Sequence, residues 1–169
     1  VHSVPEGMWK QRKSGLPLEE SFQFASYRTA PDATGDFILL DGLNGASRNP
    51  YHTFALLELR LDGETILEGY LNQLRTRADG LTEPVVAMDA ALKKVEVLGD
   101  VAIAVAEVPN MPYASWKRTI VSKNGDYTII ADAVTPRVDT ENFEIELSWE
   151  TKENDWRLDP ERPSYLIAT

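Results

Sequence analysis

No cysteine occurs in the 169 residues, so disulfides, thiolate metal sites and a cysteine nucleophile are excluded. Histidine is almost missing: only His2 and His52 are present, and no pair has ligand spacing. Basic charge is scarce, with 17 Lys and Arg against 27 Asp and Glu and a net charge of −10. The densest basic runs are Arg12-Lys13 and Lys93-Lys94, too little for the footprint of a duplex nucleic-acid binder. An anionic membrane surface is disfavoured for the same reason. No apolar run approaches the roughly 18 residues of a membrane span. Glycine-rich phosphate or dinucleotide loops are absent, as is a Gly-x-Ser-x-Gly elbow, and the glycines sit at turns instead. Val1 is not an initiator methionine, and the chain reads as a mature form or an excised fragment.

What is present is a succession of short strand patterns. The richest segment, residues 114–150, has Trp116, Arg118, Ile120 and Ser122 alternating with Lys117, Thr119, Val121 and Lys123. An Asn124-Gly125 turn follows, of the kind in which both central residues take positive φ. The run after it holds Tyr127-Thr128-Ile129-Ile130-Ala131, too apolar for a face that is wet throughout. Phe143, Ile145, Leu147 and Trp149 then alternate with Glu144, Glu146, Ser148 and Glu150, predicting one buried face and one acidic, solvated face.

Similar signals recur upstream. Residues 1–20, with Pro5, Gly7, Gly15 and Pro17, read as an irregular lead-in anchored by Met8 and Trp9. Residues 21–169 read as a single domain. Strands are expected from Phe22 to Tyr27, over 36–41, and over 52–61, the last with Phe54, Leu56, Glu58 and Arg60 on one face and Ala55, Leu57, Leu59 and Leu61 on the other. A tight Asp62-Gly63 turn leads into 65–71, and Asp79-Gly80 is another turn of that type. Further strands are expected over 85–88, 92–98 and 101–108, the last buried on both faces. Residues 42–50 and 109–112 read as loops. About ten to twelve short strands without a long helix predict an all-β, antiparallel β-sandwich.

Candidate chemistry is sparse. Asp36, Asp41 and Asn44 could supply oxygens to a structural calcium-like ion, or could cap turns; no other metal or cofactor is indicated. Asp132 interrupts an apolar strand, so it either pairs with Arg118 or Lys117 across the hairpin or faces a polar groove. Trp116 and Trp149 either fill an inter-sheet core or, with Tyr51, Tyr70, Tyr113 and Trp156, form an aromatic row for stacking sugars. Trp156, amid Asn154, Asp155, Arg157 and Asp159, is the aromatic expected to be partly exposed.

The segments "SYRTAPDATGDFILLDGLNG", "HTFALLELRLDGETILEGYLNQL", "ASWKRTIVSKNGDYTIIADAVTP" and "ELSWET" together resemble the C-terminal β-sandwich of heparinase II/III-like polysaccharide lyases, over roughly 22–150. The resemblance implies a sandwich beside a helical domain, contact with an acidic polysaccharide, and a secreted or periplasmic setting. In that family lysis is β-elimination, a base removing the proton α to a uronate carboxylate. Aligned on Asp62-Gly63, however, Asn49, Tyr51 and Thr53 stand where the family pattern has His, His and Asp. His52 is adjacent but one residue out of phase, and Leu71-Asn72 lacks the histidine that precedes the later asparagine. No catalytic residue is therefore assigned. Asn49, Tyr51, His52, Asn72 and Trp156 are candidate glycan contacts, and Trp116, Arg118, Asp132 and Trp149 are cross-strand structural residues. The expected role is a non-catalytic sandwich supporting a carbohydrate-active partner domain, without turnover as an isolated chain. The alternatives are part of an active lyase completed by a helical domain, and a protein-interaction sandwich.

Overall fold

A computed structural model describes residues 1–12, 15–42, 56–68, 72–84, 89–149, 156–158 and 166–168. Among the described residues the fold is all-β and antiparallel, with twelve strands in three open sheets. The five-stranded sheet has the order β1 (His2–Ser3), β2 (Phe22–Arg28), β3 (Phe37–Asp41), β4 (Leu56–Leu61) and β5 (Glu64–Glu68). The four-stranded sheet runs β11 (Tyr127–Pro136), β10 (Ala114–Lys123), β9 (Val101–Val108) and β8 (Ala91–Leu98). A three-stranded sheet joins β12 (Phe143–Trp149), β6 (Asn72–Ala78) and β7 (Leu81–Thr82). A separate ribbon pairs β13 (Trp156–Leu158) with β14 (Leu166–Ala168). The lead-in is less irregular than its Pro and Gly content predicts. It contains β1 and a seven-residue helix α1 (Glu6–Arg12), and the Trp9 indole donates to the Leu16 carbonyl at 3.0 Å.

The two larger sheets share one core. Phe22, Ile38, Leu40, Leu56 and Leu67 meet Ala106, Val108, Trp116 and Ile120, joined by Leu74 of β6 and by Met111 of the β9–β10 loop. Period two is cleanest in β10, where Ala114, Trp116, Arg118, Ile120 and Ser122 are all buried. The third sheet is fastened through Glu83: Thr76 Oγ1 donates to one carboxylate oxygen at 2.5 Å and the Tyr113 amide to the other at 3.2 Å.

Local departures from alternation correct four expectations. In β4 the register slips against β3, Leu40 facing Leu56 while Leu39 faces Glu58. Leu57 is the extra residue, so Leu56 and Leu59 are both buried rather than on opposite faces. β9 is mostly half-buried, because only one of its faces meets the core. β11 has an exposed outer face, with Tyr127, Ile129, Ala131 and Ala133 outward. β12 does not bury its apolar face: Ile145 and Leu147 are exposed, since β12 is an edge strand whose partner β6 takes the inner position. The expected 85–88 strand and the 42–50 loop beyond Gly42 lie outside the described residues.

Turn chemistry sets the hairpin registers. Asp62 and Gly63 both have positive φ, 50° and 79°, closing Leu61 onto Glu64 as a two-residue primed turn. Replacing Gly63 with alanine adds a Cβ only 2.8 Å from the Ala33 carbonyl, in a backbone region that L side chains rarely adopt. Gly63→Ala should cost about 1–2 kcal/mol, seen as a lowered urea midpoint with unchanged slope. The Asn124-Gly125 turn is different from its expected form. Lys123 pairs with Tyr127 across three loop residues, and of Asn124 and Gly125 only the glycine has positive φ, 63°.

Candidate functional site

Trp116 and Arg118 of β10, Asp132 of β11 and Trp149 of β12 form one cluster around the buried Arg118. Register places Arg118 opposite Asp132, and the pair is bidentate: Nε donates to Oδ1 at 2.8 Å and an Nη to Oδ2 at 3.0 Å. The Trp116 indole N–H donates to the same Oδ1 at 2.7 Å. The Arg118 guanidinium lies 4.7 Å from the Trp116 ring centroid and 4.9 Å from that of Trp149. The Arg118 side chain is 0 % exposed and that of Asp132 9 %. A buried ion pair tolerates such desolvation only when its donors and acceptors are paired, and here both carboxylate oxygens are used. The cluster offers no open coordination site and no nucleophile; its chemistry is that of a cross-link between β10, β11 and β12.

Asp36 is likewise buried, and each carboxylate oxygen accepts a backbone amide. The Asp62 amide donates to Oδ1 and the Gly125 amide to Oδ2, both at 2.9 Å. These amides belong to turns of different sheets, so one side chain pins the β4–β5 hairpin to the β10–β11 hairpin. The Asp36 amide itself donates to Thr29 Oγ1 at 2.8 Å. Of the three residues considered for a calcium-like ion, Asp36 is thus committed to backbone donors. Asp41 is buried, and Asn44 lies outside the described residues. Among the described residues no group of three or more His, Asp or Glu could hold a metal ion.

An open polar groove lies on the outer face of the five-stranded sheet. Antiparallel registers put Arg28 of β2, Phe37 of β3 and Arg60 of β4 in one row, and directly opposed residues share a face. The two guanidinium carbons approach the Phe37 ring centroid at 5.1 and 5.3 Å. Pro31, Asp32 and Ala33 of the β2–β3 loop form one wall, and the groove encloses about 410 Å³. That is within the roughly 300–1,000 Å³ of small-molecule clefts. Arg60 is engaged by Glu58, its Nε donating to Oε1 at 2.6 Å. Asp32 accepts the Thr34 hydroxyl at 2.6 Å and its amide at 3.0 Å. Those contacts, the hydroxyl first, hold the Asp32 carboxyl below its usual value and keep it ionised. Arg28 is exposed and has no carboxylate partner among the described residues, leaving its planar fork open.

Inter-sheet packing also leaves an apolar cleft of about 230 Å³ at the β8 edge, where Ala102 and Ala104 face Ala25, Ile38 and Leu40 beneath exposed Val95 and Val97. Small alanine side chains on β9 leave this space unfilled.

Of the candidate glycan contacts, Asn49, Tyr51 and His52 lie outside the described residues. Asn72 opens β6 opposite Trp149, which sets it beside the Arg118 cluster in register, and Trp156 is paired with Ala168 in the small ribbon. The structure therefore gathers Trp116, Arg118, Asp132 and Trp149, with Asn72 as a backbone neighbour, and keeps Trp156 on another element. Arg28, Phe37 and Arg60 escape sequence reasoning because they are far apart in the chain. Counting back from the Asp62-Gly63 turn marks Arg60, but the β2–β3 pairing that brings Arg28 alongside crosses an eight-residue loop, too long for its Pro31-Asp32 and Gly35 to fix the register. Comparison with protein-family models, curated proteins and solved structures finds no match.

Proposed function

We propose that the chain is a non-catalytic β-sandwich module of a carbohydrate-active, polysaccharide lyase-like protein, lending support to a partner domain and touching a uronate-bearing glycan. The observation that carries this reading is the groove at Arg28, Phe37 and Arg60. An aromatic ring there gives an apolar floor, and the open Arg28 fork matches a carboxylate in geometry and charge. The sequence resemblance to lyase sandwiches supports the same direction. At −10 overall the chain repels densely charged polyanions, so the fitting ligand is a sparsely charged glycan that presents one uronate at a time.

Calorimetric titration with a short uronate-containing oligosaccharide is expected to give a Kd on the order of 1 mM at low salt, weakening as salt screens the contact. Arg28→Ala should weaken binding about tenfold, the worth of one solvent-facing charge-assisted hydrogen bond. A neutral oligosaccharide of equal length should bind no better than that variant. Equal binding of charged and neutral sugars, or an unaffected Arg28→Ala variant, would remove the reading.

A further inference from the structure

Sheet edges carry unpaired backbone groups, and proteins guard them with short strands, charges, prolines or bulges. The described edges of this chain are guarded, with one exception. The five-stranded sheet ends in the two-residue β1 and in β5, a five-residue strand with a bulge against β4 and Glu64 and Glu68 at its ends. The three-stranded sheet ends in the two-residue β7 and in β12, which presents Glu144 and Glu146. On the four-stranded sheet, β8 carries Lys93, Lys94 and Glu96 and a bulge between Leu92 and Lys94.

The other edge of that sheet is β11. It is ten residues long and pairs with β10 in unbroken register, and its proline comes only at the last position. Its one charged residue is Asp132, whose carboxylate is turned inward onto Arg118. Tyr127 and Ile129 on its outer face are 41 % and 54 % exposed. Among the described residues β11 pairs with β10 alone.

We propose that β11 is a self-association edge, along which two copies of the chain pair antiparallel about a two-fold axis, continuing one four-stranded sheet into the other. The occupant is a second copy because the edge is self-complementary in charge and in face. In a chain of net charge −10, most contacts between copies bring like charges together. A β12–β12 pairing would oppose glutamates to glutamates, whereas β11 brings no unpaired charge to the seam.

Symmetry restricts the register further. Directly opposed residues must share a face, so the axis passes through a residue rather than between two. Centred on Asp132 it would set the two carboxylates against each other. Centred on Ala131 it sets Ile129 against Ala133, Tyr127 against Thr135 and Thr128 against Val134, and Asp132 meets Ile130. This second register spans residues 127–135, a seam of about 30 Å at about 3.4 Å per residue.

Sedimentation of the chain from about 1 to about 300 µM should show a reversible monomer–dimer equilibrium. Ile129→Lys should weaken it at least about tenfold without lowering the melting temperature at the dilute end of that range, where the chain is monomeric, because residue 129 is exposed in the monomer. Val97→Lys, at the exposed opposite edge, should leave it unchanged. In this cysteine-free chain, Ala131→Cys should oxidise to a disulfide-linked dimer, since residues opposed across an antiparallel seam fall within disulfide reach, and Val97→Cys should not. A chain that is monomeric throughout this range overturns the proposal, as does equal weakening by Ile129→Lys and Val97→Lys. Cross-linking through position 97 but not 131 also overturns it.

Discussion

Replacing Asp132 with alanine is expected to lower the unfolding free energy by about 3–5 kcal/mol, which for a chain of this size lowers the melting temperature by about 10 °C. The size follows from what stays behind. The Arg118 side chain is 0 % exposed and held between two indole rings, so without its bidentate partner a cation remains buried. The Trp116 indole N–H loses its acceptor in the same step. Removing both charges together should behave differently. Arg118→Met combined with Asp132→Leu keeps an apolar volume between the rings and takes no charge out of water. It should recover most of the loss, because the net worth of a buried pair is small even when breaking it is costly. Chemical denaturation of Arg118→Met, Asp132→Leu and the double variant makes the cycle, and the loss in the double variant should fall well below the sum of the two single losses. Additive losses would mean that Arg118 finds other compensation.

Asp36→Ala is the second large effect, about 3–6 kcal/mol, from two charge-assisted hydrogen bonds of about 1.5–3 kcal/mol each. Its signature is spatial as well as energetic. The Asp62 and Gly125 amides lie in hairpins of different sheets, yet both donate to this one carboxylate. Hydrogen exchange at both amides should accelerate together, ahead of the strand interiors. Asp36→Asn should be nearly as damaging, since its amide nitrogen would face an N–H donor across one of the two contacts. Protection lost at only one of the turns would show that Asp36 serves its local loop and does not fasten the sheets.

Sequence reasoning reaches the architecture because period two and turn residues are local signals. The alternation in β10 and the Asp62-Gly63 turn each fix a register within a few residues. Where it fails, the missing information is non-local. The Leu57 bulge carries no sequence mark, and it puts Leu56 on the same face as Leu59. Ile145 and Leu147 have the pattern of a buried face, but burial depends on whether another layer lies over the strand. In sequence Asp36 reads as a local turn cap ahead of an ion ligand, and its long-range role shows only when the Gly125 amide, 89 residues away, is seen to donate to it. The candidate site suffers most, since the Arg28–Phe37–Arg60 row exists only through the pairing of three strands.

The Trp116–Arg118–Asp132–Trp149 cluster cross-links strands, and the Arg28–Phe37–Arg60 groove is the proposed ligand contact. One heteronuclear NMR titration of the chain with a uronate-containing oligosaccharide separates these assignments. Saturable shifts should appear at the Arg28 and Arg60 side chains and at Phe37, with the Trp116 indole N–H and the Arg118 guanidinium unmoved. Shifts at that indole and guanidinium with a silent groove would contradict both.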